Sequence, residues 1–302
     1  MTSSTLTVAP PIGASSGTPF WSLVRLEAAR VLRHPAPWAA AAGWLAVVVL
    51  VLRGEPRWPT APYTEITAAT ALLGLGISVA TTGVGVRGRI RLAEEAPLPE
   101  DRRALARLLG GLALVGPVAV LVALGALALR ATGGVRMYIE PGTVTEANPS
   151  VPELLQPVAV AVVAVALGAV AGHLLRHVLP ATVALVVVWF FAGPAYWTSN
   201  GPVLRWLTLV QVQPLDVWAA PPTTDPATLP DEWVLQAPGI YQDFWARITF
   251  SPGLAVGHDV YLVGLALVLA AVAVRGRTRG ILLLAGALTA AAGVLVQAMV
   301  RL

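Results

Sequence analysis

The chain has 302 residues, of which 56% are hydrophobic and only 12% are charged, and its formal net charge is +4. So few charged residues cannot coat a water-soluble globule of this size, so the composition excludes an ordinary soluble protein. The sequence contains neither cysteine nor lysine, which excludes disulfides, cysteine metal sites and a phosphate-binding loop of the Walker type, since that loop requires a lysine.

The first 18 residues are rich in Ser, Thr, Pro and Gly and contain no basic residue. We predict a disordered tail there, because a secretory signal peptide needs a basic start and an apolar core. Residues 19–35 predict an amphipathic helix that lies in the inner membrane interface, with Glu27 on its polar face. A merely basic flank to the first span is the alternative. The side chains expected at the lipid headgroups are Trp21, Arg25, Arg30 and Arg33.

Seven apolar runs follow, each of about the length that crosses a bilayer. They predict one transmembrane domain over 36–302, an all-α polytopic membrane protein with six to seven transmembrane helices. The predicted spans are 36–52, 66–86, 104–129, 154–175, 179–197, 256–274 and 281–300. The last run, if it spans, places the C-terminus on the side opposite the N-terminus.

Most of the twenty basic residues, all of them arginine, fall in alternate segments between these runs, beginning with the segment before the first span. Positively charged segments stay in the cytoplasm, so this pattern predicts a cytoplasmic N-terminus. Most acidic residues fall on the other side. The net positive charge therefore follows from topology and does not indicate nucleic-acid binding.

The segment 87–103, between the second and third spans, is a charged cytoplasmic element. Pro97 and Pro99 interrupt any helix that continues from the second span. Pro99 followed by Glu100 and Asp101 is typical of a new helix start, because acidic residues favour the positive end of the helix dipole.

The outer region 199–255 combines tryptophans with many prolines. It is too polar to span and too aromatic for a free loop, so we expect segments that rest on or dip into the outer interface. Residues 204–212 and 238–250 predict short interfacial or re-entrant helices. A small folded ectodomain is the alternative.

Within the spans we find no ionisable residue at mid-membrane, which argues against a transporter driven by an ion gradient. The sequence likewise lacks the common hydrolase, metalloprotease and dinucleotide-binding motifs, and we expect no catalytic residue, no metal site and no cofactor bound by this chain. Gly168 and Gly172 form a GxxxG pair that favours helix packing within the molecule. Polar or aromatic candidates for a substrate pathway, with ordinary helix packing as the alternative, are Ser78, Thr81, Thr82, Phe190, Phe191 and Tyr196.

The order of these parts resembles the permease subunits of ATP-binding cassette (ABC) transporters of the type-2 exporter class. The match rests on an interfacial helix that ends in RVLRHP, on a charged segment that reads EEAPLPEDRRALARLL, and on a long outer region before a late span. The charged segment is similar to the short coupling element that contacts the ATPase in this family. That class commonly has six spans and a cytoplasmic C-terminus. A seventh span in this chain would differ from that pattern.

The resemblance implies a permease in the bacterial plasma membrane that exports a hydrophobic or amphipathic substrate such as a lipid, drug or peptide. It implies three partners: a separate cytoplasmic ATPase that binds ATP and magnesium, a second permease in a homodimer or heterodimer, and membrane lipid. The residues expected at the ATPase contact are Glu94, Glu95, Glu100, Asp101, Arg102 and Arg103. The alternative function is a membrane scaffold or immunity-type subunit that binds lipid or peptide without transport.

Overall fold

The protein is an all-α polytopic membrane protein, as the apolar runs predict. The computed structural model describes residues 19–53, 62–88, 98–134, 149–195, 202–212, 214–228, 235–236 and 245–300. Within them, six helical segments are long and apolar enough to cross a membrane, and a seventh apolar helix is shorter. The predicted tail, Glu94, Glu95 and Tyr196 lie outside the described residues.

The helix bounds follow the apolar runs closely. The α-helices are α1 Pro19–Leu32, α2 Pro35–Leu52, α3 Pro62–Ala68, α4 Thr70–Gly88, α5 Glu100–Gly111, α6 Val115–Ala131, α7 Val151–Leu175, α8 Val178–Ala192, α9 Pro202–Trp206, α10 Pro252–Ala273 and α11 Gly276–Val300. A 3₁₀ turn over Leu112–Leu114 joins α5 to α6, so one continuous helical segment from Glu100 to Ala131 contains the predicted third span of 104–129.

Local sequence explains where several helices begin and end. Glu153 supports the start of α7, where its carboxylate accepts a hydrogen bond from the Ser150 N–H (2.6 Å) and so satisfies a backbone donor that has no partner inside the helix. Ser251 caps α10, where its hydroxyl accepts a hydrogen bond from the Leu254 N–H. Arg176 ends α7 with a left-handed backbone, at a φ of 65°.

The core of the bundle is the contact between α4 and α7. An added methyl group at Gly168 or Gly172 would overlap the backbone carbonyls of Ser78 and Thr82, so these glycines let the two backbones approach closely. The GxxxG pair therefore packs within the molecule, as predicted. α10 and α11 form a hairpin that also packs closely through glycines, since Gly264 and Gly286 face each other's backbone.

One end of the bundle, which we call the α5 end, gathers α1, α5, the last turn of α4 and the turn between α10 and α11. α1 packs along α5. Arg87 of α4 contacts Glu27 of α1, and Arg275 of the α10–α11 turn lies 3.1 Å from the Glu100 carboxylate of α5. These ion pairs join chain segments that are far apart in sequence.

The opposite end, which we call the sheet end, gathers α3, α9, the start of α7 and the start of α10. Thr67 of α3 donates a hydrogen bond to the Val212 carbonyl (2.8 Å), and the Ser251 N–H donates to the Pro214 carbonyl (2.8 Å). Between the two ends run α2, α4, α6, α7, α8, α10 and α11. α8 has only 15 residues, about 22 Å of helix, yet it connects the α5 end to the sheet end.

The sheet end corrects one prediction about the outer region. Residues 245–250 form a β-strand and not the end of a helix over 238–250, of which residues 238–244 lie outside the described part of the chain. This strand, β3 (Trp245–Phe250), pairs antiparallel with β1 (Leu215–Ala220) and with β2 (Leu235–Gln236), in the order β1-β3-β2. Aromatic and β-branched residues in WARITF favour a strand. The other predicted helix, over 204–212, is limited to the single turn of α9.

Candidate functional site

A buried carboxylate surrounded by arginines organises the α5 end. Only 1% of the Glu27 side chain is exposed. Arg87 binds it through two nitrogens, with Nη2 at 2.5 Å from Oε2 and Nε at 3.2 Å from Oε1. Arg30 donates to Oε1 at 3.0 Å, and Arg107 of α5 lies 3.9 Å from the same atom. One acidic side chain thus ties α1 to both α4 and α5.

A glycine on α5 makes this burial possible. A methyl group at Gly110 would lie 2.6 Å from the Glu27 Cβ and 2.8 Å from the Val24 carbonyl, so α1 crosses α5 at this residue with its backbone in close contact. The helical pattern of α1 predicts Glu27 on its polar face, away from the apolar side, and the burial of Glu27 corrects that prediction. The signal available in the sequence was the Gly110-Gly111 pair, which marks a close helix contact.

The residues expected at the lipid headgroups all lie on the exposed surface of α1 or directly after it. Trp21 is 54% exposed, and Arg25, Arg30 and Arg33 are exposed as well. Leu26, 48% exposed, adds a second apolar side chain to this surface. An exposed surface that combines apolar and basic side chains has the composition of an interfacial helix, and its position relative to a membrane stays a prediction.

The first turn of α5 presents the charged residues expected at the ATPase contact. Glu100 and Arg102 are exposed, and Asp101 and Arg103 are partly exposed. Glu100 pairs with Arg275, whereas the Nη1 atom of Arg103 is buried without a hydrogen-bond partner. These four residues form one charged surface at the α5 end, which we call the α5 surface.

The three hydroxyl residues considered as pathway candidates lie inside the α4–α7 contact. Ser78, Thr81 and Thr82 have no exposed surface. The Ser78 hydroxyl donates to the Ala164 carbonyl of α7 and accepts from the Trp189 indole of α8, both at 3.0 Å. Thr81 and Thr82 donate to carbonyls of their own helix. This geometry fits the packing alternative.

The aromatic pathway candidates lie elsewhere. Phe190 and Phe191 of α8 are 70% and 57% exposed, and their rings pack edge to face with centroids 5.2 Å apart. They are on the outer surface of the bundle. The structure therefore does not bring them together with the three hydroxyl residues of α4.

A groove on the side of the bundle was not predicted from sequence. It has a volume of about 560 Å³ and lies between α2, α4 and α6. Its wall includes Trp38 and Ala41 of α2, Ile77 of α4, and Pro117 and Leu121 of α6. Such an apolar recess can hold hydrocarbon. No periodicity in a single helix reveals it, because three helices that are separate in sequence form it together.

A buried histidine within a span was also not predicted from the sequence. His258 of α10 is completely buried and faces the Trp206 carbonyl, yet neither ring nitrogen has hydrogen-bonding geometry with a partner. Gln297 of α11, also completely buried, donates to the same carbonyl at 3.5 Å. In the part of the chain that the structure describes, no three acidic or histidine side chains gather to hold a metal ion.

The chain matches no family model, no curated protein and no solved structure. Its resemblance to ABC permeases therefore rests on its own residues.

Proposed function

We propose that this chain is the permease subunit of an ATP-driven exporter, of the ABC type-2 class, in the bacterial plasma membrane with its N-terminus in the cytoplasm. The observation that carries the proposal is the α5 surface. It consists of charged residues at the start of a short helix that is connected to several spans. A partner that binds this surface can therefore move those spans together.

Three connections would transmit such a movement. α5 continues through a single 3₁₀ turn into the spanning helix α6. Arg107 of α5 and Arg87 of α4 share the Glu27 carboxylate, so α4 follows α5. Glu100 is ion-paired to Arg275 between α10 and α11, although this exposed pair is weak by itself.

We propose that a separate protein supplies the energy by hydrolysing ATP. A Walker-type loop needs a lysine to hold nucleotide phosphates, and the sequence has none. A separate cytoplasmic ATPase would bind ATP and magnesium, dock at the α5 surface, and drive two permeases that pair as a homodimer or heterodimer. Glu94 and Glu95, which precede α5 in the sequence, belong to the proposed contact but lie outside the described residues.

A hydrophobic or amphipathic substrate suits the chemistry of the groove between α2, α4 and α6. The groove is open at the side of the bundle and its wall is apolar, so hydrocarbon can enter it directly from the bilayer. Movement of α5 would change the shape of the groove. Leu114 and Pro117 in its wall lie in the 3₁₀ turn and the first turn of α6, which continue the chain from α5.

Affinity purification of the full chain from its native membrane in mild detergent tests the proposal. We expect a soluble ATPase with a phosphate-binding loop in near-equal amount. Arg102→Glu should abolish ATPase binding, because Arg102 is exposed on the α5 surface. The substitution should leave the fold intact, since Glu27 pairs with other arginines. Arg25→Glu, an equal charge reversal at an exposed site on α1, is the matched control and should retain the ATPase.

Recovery of the folded chain with no ATPase would contradict the proposal and would favour the scaffold or immunity-type alternative. Loss of the ATPase in both variants would show that it responds to net charge and not to the α5 surface.

A further inference from the structure

The arginine cluster around Glu27 carries more positive charge than its one carboxylate can neutralise. Arg30, Arg87 and Arg107 all pair with Glu27. Arg107 is also repelled by Arg30, Arg87 and a fourth arginine, Arg103. Among the described residues, the Glu27 carboxylate is the one acidic group that is ion-paired within this group of four arginines, and all four arginines belong to the same end of the bundle.

Two arginine nitrogens in this cluster make no hydrogen bond, although one of them, Arg107 Nε, lies 3.9 Å from Glu27 Oε1. Arg103 Nη1 and Arg107 Nε are buried, and neither has a hydrogen-bond partner. A guanidinium cannot lose its proton under ordinary conditions and has N–H groups to donate. A buried donor without an acceptor is costly, and more so when it is charged. Both the charge and the unused donors favour an additional anion with several acceptor oxygens.

We propose that Arg103 and Arg107, with Arg87 and Arg30 at the edge of the cluster, bind the phosphate group of an anionic membrane lipid. Phosphate offers several oxygens to paired guanidinium donors, which is the geometry that arginine recognises best. Arg30 and Arg87 remain 48% and 34% exposed at their side chains, so the cluster is open to an approaching headgroup.

A lipid is favoured over a free anion by the neighbouring surface of α1. Trp21 and Leu26 are exposed apolar side chains on the helix that carries Glu27 and Arg30. Tryptophan and arginine together are typical of the headgroup region of a bilayer. A lipid whose phosphate binds the cluster would have its acyl chains directed along an apolar bundle.

The bound phosphate would stabilise the contact between α1, α4 and α5, because each of these helices contributes an arginine to the cluster. The inference concerns the membrane protein itself and does not depend on an ATPase partner. Its test can therefore fail while the proposed function stands, and the reverse also holds.

The test uses the full chain, reconstituted in nanodiscs of phosphatidylcholine alone or with added phosphatidylglycerol. The readouts are thermal unfolding and native mass spectrometry of retained lipid, and inorganic phosphate is added separately as the free anion. We expect phosphatidylglycerol to raise the unfolding temperature and to be retained, and inorganic phosphate to have little effect.

Two neighbouring substitutions give a matched comparison. Arg103→Gln removes a buried donor without touching the Glu27 ion pairs, and should weaken phosphatidylglycerol binding by about tenfold or more. Arg102→Gln removes an exposed arginine one residue away and should bind as the unmodified chain does. A similar loss in both variants, or no preference for phosphatidylglycerol, would overturn the site. Equal stabilisation by inorganic phosphate would overturn the lipid assignment.

Discussion

Glu27 is the residue on which the α5 end depends most, because it is the buried negative charge that the surrounding arginines share. A buried ion pair adds little net stability relative to an apolar pair, but removing one partner leaves charges uncompensated. The arginines at this site cannot become neutral. The bidentate contact with Arg87 also fixes the orientation of α4 relative to α1.

Glu27→Gln should therefore lower the free energy of unfolding by about 3 kcal/mol, the usual cost of breaking a buried charge pair. Thermal or denaturant unfolding of the purified chain measures this change. Glu100→Gln is the matched control, since the Glu100–Arg275 pair is exposed on both sides and should cost about 1 kcal/mol or less. Equal costs for the two substitutions would show that Glu27 is not the centre of the cluster.

The burial of individual side chains was the feature that the sequence predicted least well. The helix over 19–35 follows from local pattern, but the burial of Glu27 depends on a crossing with α5 that is distant in sequence. His258 was missed for the same reason, because its burial depends on helices packed against α10 and not on the local pattern of the span. The exposed positions of Trp21 and Arg25 need no distant partner, and the sequence placed both on the surface.

At the scale of helices, close backbone contact between α4 and α7 forms the centre of the bundle. In a bilayer, apolar burial between helices provides little driving force, so helices associate through tight packing and interhelical hydrogen bonds. Gly168 and Gly172 supply the packing, and the Ser78 hydroxyl supplies a bond to the Ala164 carbonyl. The hydroxyl residues of α4 are thus explained by packing.

Gly168→Ala should lower the free energy of unfolding by about 3 kcal/mol, because its methyl group would overlap the Ser78 carbonyl and force α4 and α7 apart. Unfolding of the purified protein in detergent checks this value. Gly116→Ala in α6 serves as the control, since a methyl group there meets nothing within 4 Å. It should be neutral or stabilising by up to about 1 kcal/mol. A tolerated Gly168→Ala would mean that the two helices are not in backbone contact.

The helices were well predicted because a membrane leaves few alternatives. Backbone groups in hydrocarbon must be satisfied within the chain, so long apolar runs become helices. That constraint weakens outside the bilayer, and the outer region was accordingly predicted less well. The strand β3 needs β1 and β2 as partners, and such pairing is not visible in the local pattern of residues 245–250.

At the scale of the whole molecule, the helices divide the chain between two ends. Among the described residues, α2, α4, α6, α7, α8, α10 and α11 run between the two ends, which places α1 at the α5 end and the last residues of α11 at the sheet end. Six of these helical segments are long and apolar enough to cross a membrane, and α8 is the shorter one. The charged residues of α5 and the α10–α11 turn then share one side.

Single cysteines test this arrangement, because the chain has none of its own. Arg102→Cys and Arg277→Cys should react with a membrane-impermeant maleimide from the same side of the membrane. Asp225→Cys, in the sheet-end region, should react only from the other side. Reaction of the first two from opposite sides would show that α6, α7, α8 and α10 do not all cross, because these four helices lie between the two positions. Labelling of all three from one side would also contradict the arrangement.

Site-specific crosslinking of the α5 surface in native membranes tests whether an ATPase docks there. A photoactivatable reagent attached at Arg102→Cys should capture a nucleotide-binding protein, and ATP should change the yield. The same reagent at Val151→Cys, exposed at the sheet end, should not capture it. That result would establish that an ATPase docks at the α5 surface. No nucleotide-binding protein at Arg102→Cys, with the chain folded and membrane-inserted, would contradict the proposed function.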